Sequence, residues 1–441
     1  MKIPKSPPSD EEVNKILAEP ADPIKFRELG ADLNKINLEY FHWDELQFRY
    51  RPEQAKLLWA FTSIFRQMNA RYLPIDPLML RYVQTPEIEE MLHNTDMAIG
   101  NKIDYLLEEQ VPPQELKKKY LVSSLMEEAI SSSQIEGAVT TRAVAKKMLR
   151  ENRKPRTKSE QMIYNNYFTM KYIKELTQSK TPLSLELIKE IQKRITKDTL
   201  DEKTYEGNFR TDNEVGVYDK ETNQLIYTPP DYQKIEPLLQ KVCDFANGGS
   251  TGYYLHPITK AIILHYLIGY LHPFNDGNGR TARALFYWYA ISKDYPNLEY
   301  IAISMAIKNA PVQYTNAYLY SESDHNDVTY FVKFNLDKIR IAIELFNKYV
   351  KRKKQENQKI IQTIRYNKKL NYRQADIVIE LCRKEKEVTI EGMQQRYNIT
   401  YQTARTDLLK LAKFGYLNKF LVGREFLFTP NREKCMAAIQ G

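Results

Sequence analysis

The twelve-residue segment HPFNDGNGRTAR, residues 272–283, constrains the fold of this chain more than any other segment. Upstream, Ala261–Leu271 is apolar enough to form a buried helix, and Pro273 disfavours helical backbone at His272, so we expect this helix to end there. Downstream, Thr281–Ala290 has the pattern of a second apolar helix. The glycine-flanked loop between them therefore leads into a helix N-terminus. Backbone N–H groups and the helix dipole favour an anion such as phosphate at that place.

The polar side chains of this segment suit the phosphates of a nucleotide. Arg280 and Arg283 are three residues apart and can share one face of the first helical turn, where each guanidinium offers forked donors. Asp276 is a hard oxygen ligand of the kind that Mg²⁺ accepts beside phosphate oxygens and water. His272 can hold or release a proton near neutral pH. The alternative is a surface loop with a helix cap, which the presence of all these groups together disfavours.

The segment resembles the Fic family motif, His-Pro-Phe-x-(Asp/Glu)-Gly-Asn-Gly-Arg-x-x-Arg, at every position. Members of that family typically transfer AMP from ATP to a hydroxyl side chain of a target protein. The resemblance implies an adenylyltransferase that uses ATP and Mg²⁺, with His272 deprotonating the target hydroxyl and Asp276 holding the metal. By the same resemblance, the ATP phosphates would be bound by Gly277, Asn278, Gly279, Arg280 and Arg283.

A second motif, SSSQIEG, lies well upstream and ends a helical stretch. Gly137 is a natural helix C-cap, and Glu136 would place a carboxylate against the helix dipole, which is locally unfavourable. The spacing Ser132-x-x-x-Glu136-Gly137 resembles the inhibitory-helix motif of Fic proteins in which that helix precedes the core. The resemblance implies that Glu136 pairs with Arg283 and fills the space that the γ-phosphate needs.

Two short β-rich runs, Val215–Tyr218 and Leu225–Pro230, flank a polar turn at residues 219–223. The pattern predicts a hairpin, whose alternative interpretation is an incidental surface feature. The Fic family has a hairpin flap here, with a Gly-x-Phe-Arg entry, in this chain Gly207–Arg210, and a Pro-Pro exit. By resemblance, the edge of the flap would bind the target backbone by strand addition. The flap residues expected to do so are Val215, Val217 and Tyr218.

Adenine recognition is expected near Tyr314, with Tyr318, Tyr320 and Asp324 close by, where related proteins place nucleobase contacts. The chain has 31 tyrosines, so an accidental match is the alternative. Both interpretations stay open at the level of sequence.

The C-terminal segment is strongly basic and has its own pattern. From residue 351 onwards it carries 20 Lys and Arg against 9 Asp and Glu, whereas the whole chain has a net charge of +9. Helices at Ile390–Tyr397 and Thr400–Phe414, followed by strands at Leu417–Val422 and Glu425–Phe428, resemble a winged-helix domain, a common companion of Fic cores. The second helix would expose Tyr401, Gln402, Arg405 and Lys410 to DNA. Winged helices also bind proteins or form dimers, so a protein partner and a homodimer are alternatives to DNA.

These patterns predict a mainly α chain of several domains. Residues 1–112 would form an N-terminal helical region. A Fic core would cover residues 113–350, including the inhibitory helix at about 121–137 and the flap at about 207–230. A basic helical linker at 351–372 would lead to a small α+β winged-helix domain at 373–441.

The remaining composition indicates a reducing compartment. Cys243, Cys382 and Cys435 are scattered and lack metal-ligand spacing, so we expect them to be reduced, as in the cytoplasm. The start of the chain is polar and proline-containing, and no apolar run approaches the roughly 20 residues that span a bilayer.

Two classes of function therefore compete. The first is a protein adenylyltransferase autoinhibited by Glu136, for which self-modification on tyrosine, serine or threonine is an expected first product. The second is a DNA-binding regulator whose Fic core senses nucleotide. The intact base His272 favours the enzyme, because a sensor does not need it. Within the enzyme class, removal of AMP and transfer of other phosphate-containing groups stay open.

Overall fold

The computed structural model describes residues 3–18, 23–100, 113–219, 222–249, 251–366, 369–383, 387–423 and 425–434. Within the helices, the side chains of residues 23–28, 100, 113–117, 354–366 and 382–383 are outside this description. None of the helices in the described ranges is both long and apolar enough to cross a membrane. Cys243 is a buried free thiol, whereas the side chain of Cys382 and the whole of Cys435 lie outside the described residues.

The fold is mainly helical, as the sequence predicts. The helices are α1 Asp10–Ala18, α2 Pro23–Glu39, α3 Trp43–Arg49, α4 Pro52–Asn69, α5 Pro86–Gly100, α6 Pro113–Ile135, α7 Arg142–Arg150, α8 Lys158–Gln178, α9 Leu185–Thr196, α10 Ile235–Ala246, α11 Pro257–Leu271, α12 Asn278–Ser292, α13 Ile303–Lys308, α14 Pro311–Ser323, α15 Thr329–Tyr366, α16 Tyr372–Arg383, α17 Ile390–Tyr397 and α18 Tyr401–Lys413. The strands are β1 Arg71–Tyr72, β2 Arg81–Tyr82, β3 Val217–Tyr218, β4 Leu225–Tyr227, β5 Val388–Thr389, β6 Leu417–Val422 and β7 Glu425–Pro430.

The chain folds into two compact units, each built from several separate stretches of the sequence. The four consecutive segments expected from the sequence stay a prediction. Unit 1 contains residues 1–96, 172–296 and 306–340, and unit 2 contains residues 97–171, 297–305 and 341–441. Long helices such as Thr329–Tyr366 contribute residues to both units. Sequence patterns reveal consecutive elements, whereas an interleaved division depends on contacts between distant segments.

A buried ionic network ties the N-terminal helices to the rest of unit 1. Arg81 donates to Asp327 at 3.1 Å and to Asp324 at 2.8 Å, and the Tyr40 hydroxyl donates to Asp327 at 2.7 Å. All of these groups are buried, so removal of one partner weakens the compensation of a buried charge.

Helices α11 and α12 form the centre of unit 1 and carry the HPFNDGNGRTAR segment at their junction. The His256 side chain accepts a hydrogen bond from the backbone of Ile258, and Pro257 occupies the first turn, so helix α11 begins with a cap. Nearly every residue of α11 is buried. The helix ends at Leu271, which confirms the effect expected of Pro273.

The C-terminal elements of unit 2 agree closely with the sequence prediction. Thr400 caps helix α18 by accepting a hydrogen bond from the backbone of Thr403, and Asn398 and Gly415 adopt left-handed backbone beside the helix ends. Strand β7 pairs on one side with β5 and on the other with β6, giving the order β5-β7-β6. Buried side chains from the helices and the sheet form one core.

Candidate active site

His272 is placed by the end of helix α11 and has left-handed backbone, with φ 46° and ψ 57°. Its Nδ1 lies 3.1 Å from the carbonyl oxygen of Gly269. A carbonyl can only accept, so Nδ1 carries the hydrogen and the lone pair of the neutral ring is on Nε2. The side chain is half-buried. The backbone therefore fixes the tautomer in which Nε2 can act as a base.

The loop after His272 is closed by the side chain of Asn278. Its amide nitrogen donates to the carbonyl oxygen of Phe274 at 2.7 Å, and its amide oxygen accepts from the Phe274 N–H at 3.0 Å. Gly277 precedes helix α12 in left-handed conformation, with φ 86°. A Cβ atom at this position would lie 2.7 Å from Cγ2 of Thr196. The family resemblance implies a phosphate contact at Asn278, but its side chain holds the loop, which leaves its backbone N–H for that role.

Asp276 and Arg280 face each other across the first turn of helix α12. Arg280 is buried and lies 3.5 Å from one carboxylate oxygen of Asp276, and its other terminal nitrogen donates to the Ile195 carbonyl oxygen at 3.3 Å. The second carboxylate oxygen accepts the Gly277 N–H at 2.5 Å. Asp276 itself is about half exposed, at 52%.

The protein ligands at this site suit Mg²⁺ only if phosphate oxygens complete its coordination. Among the described residues, no group of three or more His, Cys, Asp or Glu side chains could hold a metal ion. Asp276 offers one exposed carboxylate, and Mg²⁺ commonly takes one or two carboxylates together with phosphate oxygens and water. Asp276 can therefore serve as the protein ligand of a metal that arrives with a nucleotide.

Gln192 is a positioning residue that the sequence analysis missed. Its amide nitrogen donates to the backbone oxygen of Asp276 at 3.0 Å, and its amide oxygen accepts the Gly207 N–H at 2.6 Å. The side chain is fully buried on helix α9, among apolar neighbours such as Ile188 and Ile195. A polar residue on the apolar face of an amphipathic helix was the available signal.

Arg210, in the Gly-x-Phe-Arg segment, holds the motif loop from the other side. Its Nε donates to the carbonyl oxygen of His272 at 3.0 Å, and its backbone N–H donates to that of Pro273 at 2.9 Å. One terminal nitrogen donates to the Asp212 carbonyl oxygen at 2.8 Å and the other to the Pro230 carbonyl oxygen. Burial lowers the pKa of this guanidinium from its ordinary value. One side chain thus joins His272 to both ends of the hairpin.

The predicted hairpin is present, although its strands are short. Val217 pairs with Tyr227 and Tyr218 with Leu225 in an antiparallel ladder with an irregular register. The Tyr227 hydroxyl donates to the carbonyl oxygen of Tyr270 at 3.0 Å, which fastens the hairpin to the end of helix α11. Val215 and Val217 are half-buried, and Tyr218 is exposed. Their binding to a target stays a prediction.

Arg283 and Tyr314 lie near a buried aromatic cluster. The Tyr314 hydroxyl is hydrogen-bonded to Nε2 of His265 at 2.8 Å, and its ring packs against Phe331 and Tyr318. Burial lowers the pKa of His265 well below its usual value, and the charge of the nearby Arg283 acts in the same direction. The hydroxyl of Tyr314 is thus engaged within the protein. Its contact with adenine stays a prediction.

The SSSQIEG segment ends helix α6 in unit 2. The Gly137 N–H donates to Gln134 at 3.1 Å and the Ala138 N–H to Ser133 at 3.0 Å, the two bonds of a Schellman cap. Gly137 has φ 103°, so glycine is favoured there. The cap predicted at Gly137 is therefore confirmed.

The other two residues of the predicted inhibitory motif are less accessible than a surface helix end would suggest. Ser132 is buried, and Glu136 is half-buried just after the last helical residue. The action of Glu136 on Arg283 stays a prediction.

The proposed DNA contacts are on helix α18, where Gln402 is exposed and Arg405 is half-buried. The neighbouring strand β6 exposes Phe420, Leu421 and Val422. An apolar edge beside the helix is more typical of a protein contact than of a phosphate backbone.

The HPFNDGNGRTAR segment thus brings together a helix start led by glycine, two buried arginines and a histidine. Comparisons with known proteins agree with the resemblance of that segment. The profile of the Fic/DOC family matches residues 182–290. The chain is 35% identical over 80 residues to the protein adenylyltransferase Fic of Nematostella vectensis, covering 18% of this chain and 17% of that protein. It is 27% identical over 179 residues to the protein of the same name from Drosophila willistoni, covering 40% of this chain and 32% of that protein.

The fold is also similar to a solved structure. A Fic family protein from Desulfovibrio desulfuricans G20 superimposes with a TM-score of 0.51 at 17% identity, covering 79% of this chain and 98% of that chain. At this identity the similarity concerns the fold alone. The matches span less than a third of the length of the two relatives named above. The part of the chain that matches the Fic/DOC family, residues 182–290, covers helices α9 to α12.

Proposed function

We propose that this protein transfers AMP from ATP to a hydroxyl group of a protein target. The observation that carries the proposal is the contact between His272 Nδ1 and the Gly269 carbonyl oxygen, which puts the basic lone pair on Nε2. The base is at the end of helix α11, and Gly277 leads into helix α12 a few residues later. An anion-binding helix start therefore lies beside a base, the combination that group transfer from a nucleotide needs.

The proposed reaction balances as a displacement at the α-phosphorus. Nε2 of His272 accepts the hydroxyl proton, a bond forms between the target oxygen and the α-phosphorus, and the bond to the β-phosphate oxygen breaks to release pyrophosphate. Arg280 and Arg283, both buried at the start of helix α12, would stabilise the charge on the phosphates. A Mg²⁺ ion held by Asp276 would neutralise further charge on the nucleotide.

A double-label experiment tests this proposal. The protein is incubated with a lysate and with ATP labelled at either the α- or the γ-phosphate, beside the same lysate without the protein. We expect the protein to add protein-bound label from α-labelled ATP only, because AMP is transferred and pyrophosphate leaves. Added label from γ-labelled ATP, above the level that the kinases of the lysate produce alone, would point to phosphate transfer and would contradict the proposal. Mass spectrometry of the labelled bands identifies the target, and modification of the chain itself is an expected product.

Autoinhibition by Glu136 through Arg283 is part of the proposal and is supported by the motif spacing and by the helix cap at Gly137. Breaking one side of a buried, hydrogen-bonded pair costs about 3–5 kcal/mol. A net bias of about 2–3 kcal/mol would lower the ATP-competent population by roughly 30- to 150-fold. We therefore expect a weakly active wild type and a much more active Glu136→Gly variant. Equal, robust labelling by both proteins would remove autoinhibition from the account.

DNA binding by the C-terminal elements is the second candidate function, favoured by their basic composition. The exposed apolar residues of strand β6 favour a protein partner instead. A gel-shift assay with a salt titration separates the two, because binding to the phosphate backbone weakens steeply as salt rises. Absence of a shift even at low salt would leave a protein partner as the explanation of this surface.

A further inference from the structure

An open pocket in unit 2 lies directly on the helix that carries the SSSQIEG motif. Its volume is about 270 Å³, and helix α6 contributes Ser123, Ser124 and Glu127 to its wall. Helix α15 and residues around Tyr300 complete the lining, in which the buried side chains form the bottom and the exposed ones the rim. The pocket belongs wholly to unit 2 and contains none of the residues assigned to ATP.

The bottom of the pocket is aromatic and apolar. Tyr300 and Phe346 are both buried, with ring centroids 6.1 Å apart, and Tyr349 lies beside them. A flat ligand ring packed against this aromatic pair would gain stacked or edge-to-face contacts, which aromatic rings make with centroids about 4.5–7 Å apart. The rest of the apolar lining consists of Ala302, Met305, Ala342 and Leu345.

The rim of the pocket is cationic. Arg142, Lys348 and Arg352 line it against a single carboxylate, that of Glu127. Among the described side chains, Lys348 and Arg352 form no ion pair, and both are exposed at the mouth. The Arg352 guanidinium lies over the Tyr349 ring at 5.7 Å, which places a positive charge beside the aromatic bottom.

The one carboxylate in the lining is already neutralised by two cations. Nε of Arg142 donates to both oxygens of Glu127, at 3.0 and 2.8 Å, and Lys146 forms a further ion pair with the same carboxylate. Burial opposes its ionisation, but these two partners outweigh burial and lower the pKa of Glu127. The Arg142 side chain is 64% exposed, so it can turn towards a ligand while Lys146 keeps Glu127 paired.

We propose that this pocket binds a small anionic ligand with an aromatic ring, of about the size of a mononucleotide, and that the ligand holds the SSSQIEG helix in place. The ring would lie on Tyr300 and Phe346, and the anion would meet Lys348, Arg352 and Arg142. The regulatory half of this inference rests on the proposed function, whereas the binding half does not.

The direction of the regulation follows from what the pocket contacts. The ligand would bridge helix α15 and Ser123 and Ser124 of helix α6, and these contacts exist only while α6 lies as it does here. A ligand shifts a conformational equilibrium towards the state that it binds better. Glu136 directly follows the last residue of helix α6. It is nine residues after Glu127, which corresponds to about 13 Å along the helix axis. Under the proposed function, Glu136 inhibits only while helix α6 keeps its place within unit 2, so ligand binding should favour the inhibited state.

The binding half is tested with 1-naphthyl phosphate, which has a ring and a phosphate but cannot donate AMP. Saturable binding is measured by calorimetry on the full chain, beside 1-naphthol and inorganic phosphate. We expect the ring and the anion to be needed together. The Lys348→Ala and Arg352→Ala variants should each bind about tenfold more weakly, because each loses a charge-assisted contact to the anion. The matched control is Lys351→Ala, an exposed residue of the same helix outside the pocket.

Each calorimetric result decides the binding half. The site for a ring and an anion is overturned if all three variants bind 1-naphthyl phosphate with the same affinity. It is also overturned if inorganic phosphate binds as tightly as 1-naphthyl phosphate. Affinity that falls in Lys348→Ala and Arg352→Ala but not in Lys351→Ala supports it.

The regulatory half is measured as AMP transfer with saturating 1-naphthyl phosphate. We expect the probe to lower AMP transfer by the wild type and to leave transfer by Glu136→Gly unchanged. Transfer by the Lys348→Ala protein should be the same with and without the probe. A rise in wild-type transfer, or equal inhibition of Glu136→Gly, overturns this half. Absence of transfer in every variant contradicts the proposed function instead, and calorimetry still decides whether the pocket binds the probe.

Discussion

Arg210 Nε donates a hydrogen bond to the carbonyl oxygen of His272 over 3.0 Å, although the two residues are 62 positions apart in the chain. The same guanidinium reaches the carbonyl oxygens of Asp212 and Pro230 at the two ends of the hairpin. The position of His272 is therefore tied to the position of the hairpin. Any movement of the hairpin changes the support of His272.

An Arg210→Lys variant tests this coupling. Lysine keeps the charge but lacks the planar fork, so it cannot reach all three carbonyl oxygens at once. We expect kcat for AMP transfer in the Glu136→Gly background to fall about 100-fold, because small misplacements of a reacting group are costly. ATP affinity should change little. The control is Arg194→Lys, an exposed arginine of helix α9. Weaker ATP binding with unchanged kcat would contradict the positioning role.

Gln192→Leu should destabilise the fold. Leucine fills a similar volume but leaves the Gly207 N–H and the Asp276 carbonyl oxygen without their partner. An unsatisfied buried group costs about 1–3 kcal/mol, so we expect a loss of that order in the free energy of unfolding, measured with urea. Gln240→Leu, on an exposed face of helix α10, should stay within about 0.5 kcal/mol of wild type. Equal effects of the two substitutions would mean that the Gln192 bridge contributes nothing specific.

Gly277→Ala separates backbone strain from steric contact at the start of helix α12. Left-handed backbone costs an alanine roughly 1–2 kcal/mol, and the added Cβ would lie only 2.7 Å from Cγ2 of Thr196. In Thr196→Ser that methyl group is absent, while the hydroxyl can still donate to the Gln192 carbonyl oxygen. We expect the double variant to regain only the steric part of the lost unfolding free energy. Complete recovery would show that the backbone at Gly277 is not strained.

Glu322 should make stability depend on pH. Burial raises the pKa of this carboxyl from its ordinary value of 4.5 to about 8. Between these two pH values the folded protein keeps the carboxyl proton, whereas the unfolded chain has lost it. The stabilising contribution is present below about pH 4.5 and is lost as the pH rises through about 8. Glu322→Gln should therefore gain stability over wild type between about pH 5 and pH 8 in urea unfolding. Glu236→Gln, at an exposed position, should follow wild type. Parallel curves for wild type and Glu322→Gln would contradict the raised pKa.

Local signals account for the parts of the fold that the sequence predicts well. Pro273 ends helix α11, and Thr400 and Gly415 bound helix α18, because caps and backbone preferences act within a few residues. The hairpin at Val217–Tyr227 is similarly local.

Long-range contacts account for what the sequence does not reveal. Gln192 reaches the Asp276 backbone across 84 positions, and Arg210 reaches His272 across 62. The motif spacing identifies the residues predicted to react, but not the side chains that hold them in position. Asn278 illustrates the same limit, because its side chain closes the loop through Phe274, whereas the family motif implies only a phosphate contact.

The central claim is that Nε2 of His272 is the base for transfer of AMP, and one measurement tests it most directly. AMP transfer from α-labelled ATP is compared between Glu136→Gly and Glu136→Gly/His272→Ala, with calorimetry of ATP and Mg²⁺ on both proteins. We predict robust transfer by the first protein, transfer reduced by at least about 100-fold in the second, and similar ATP affinity in the two. Undiminished transfer by the protein without His272, or no heat of ATP binding to Glu136→Gly, would contradict the account.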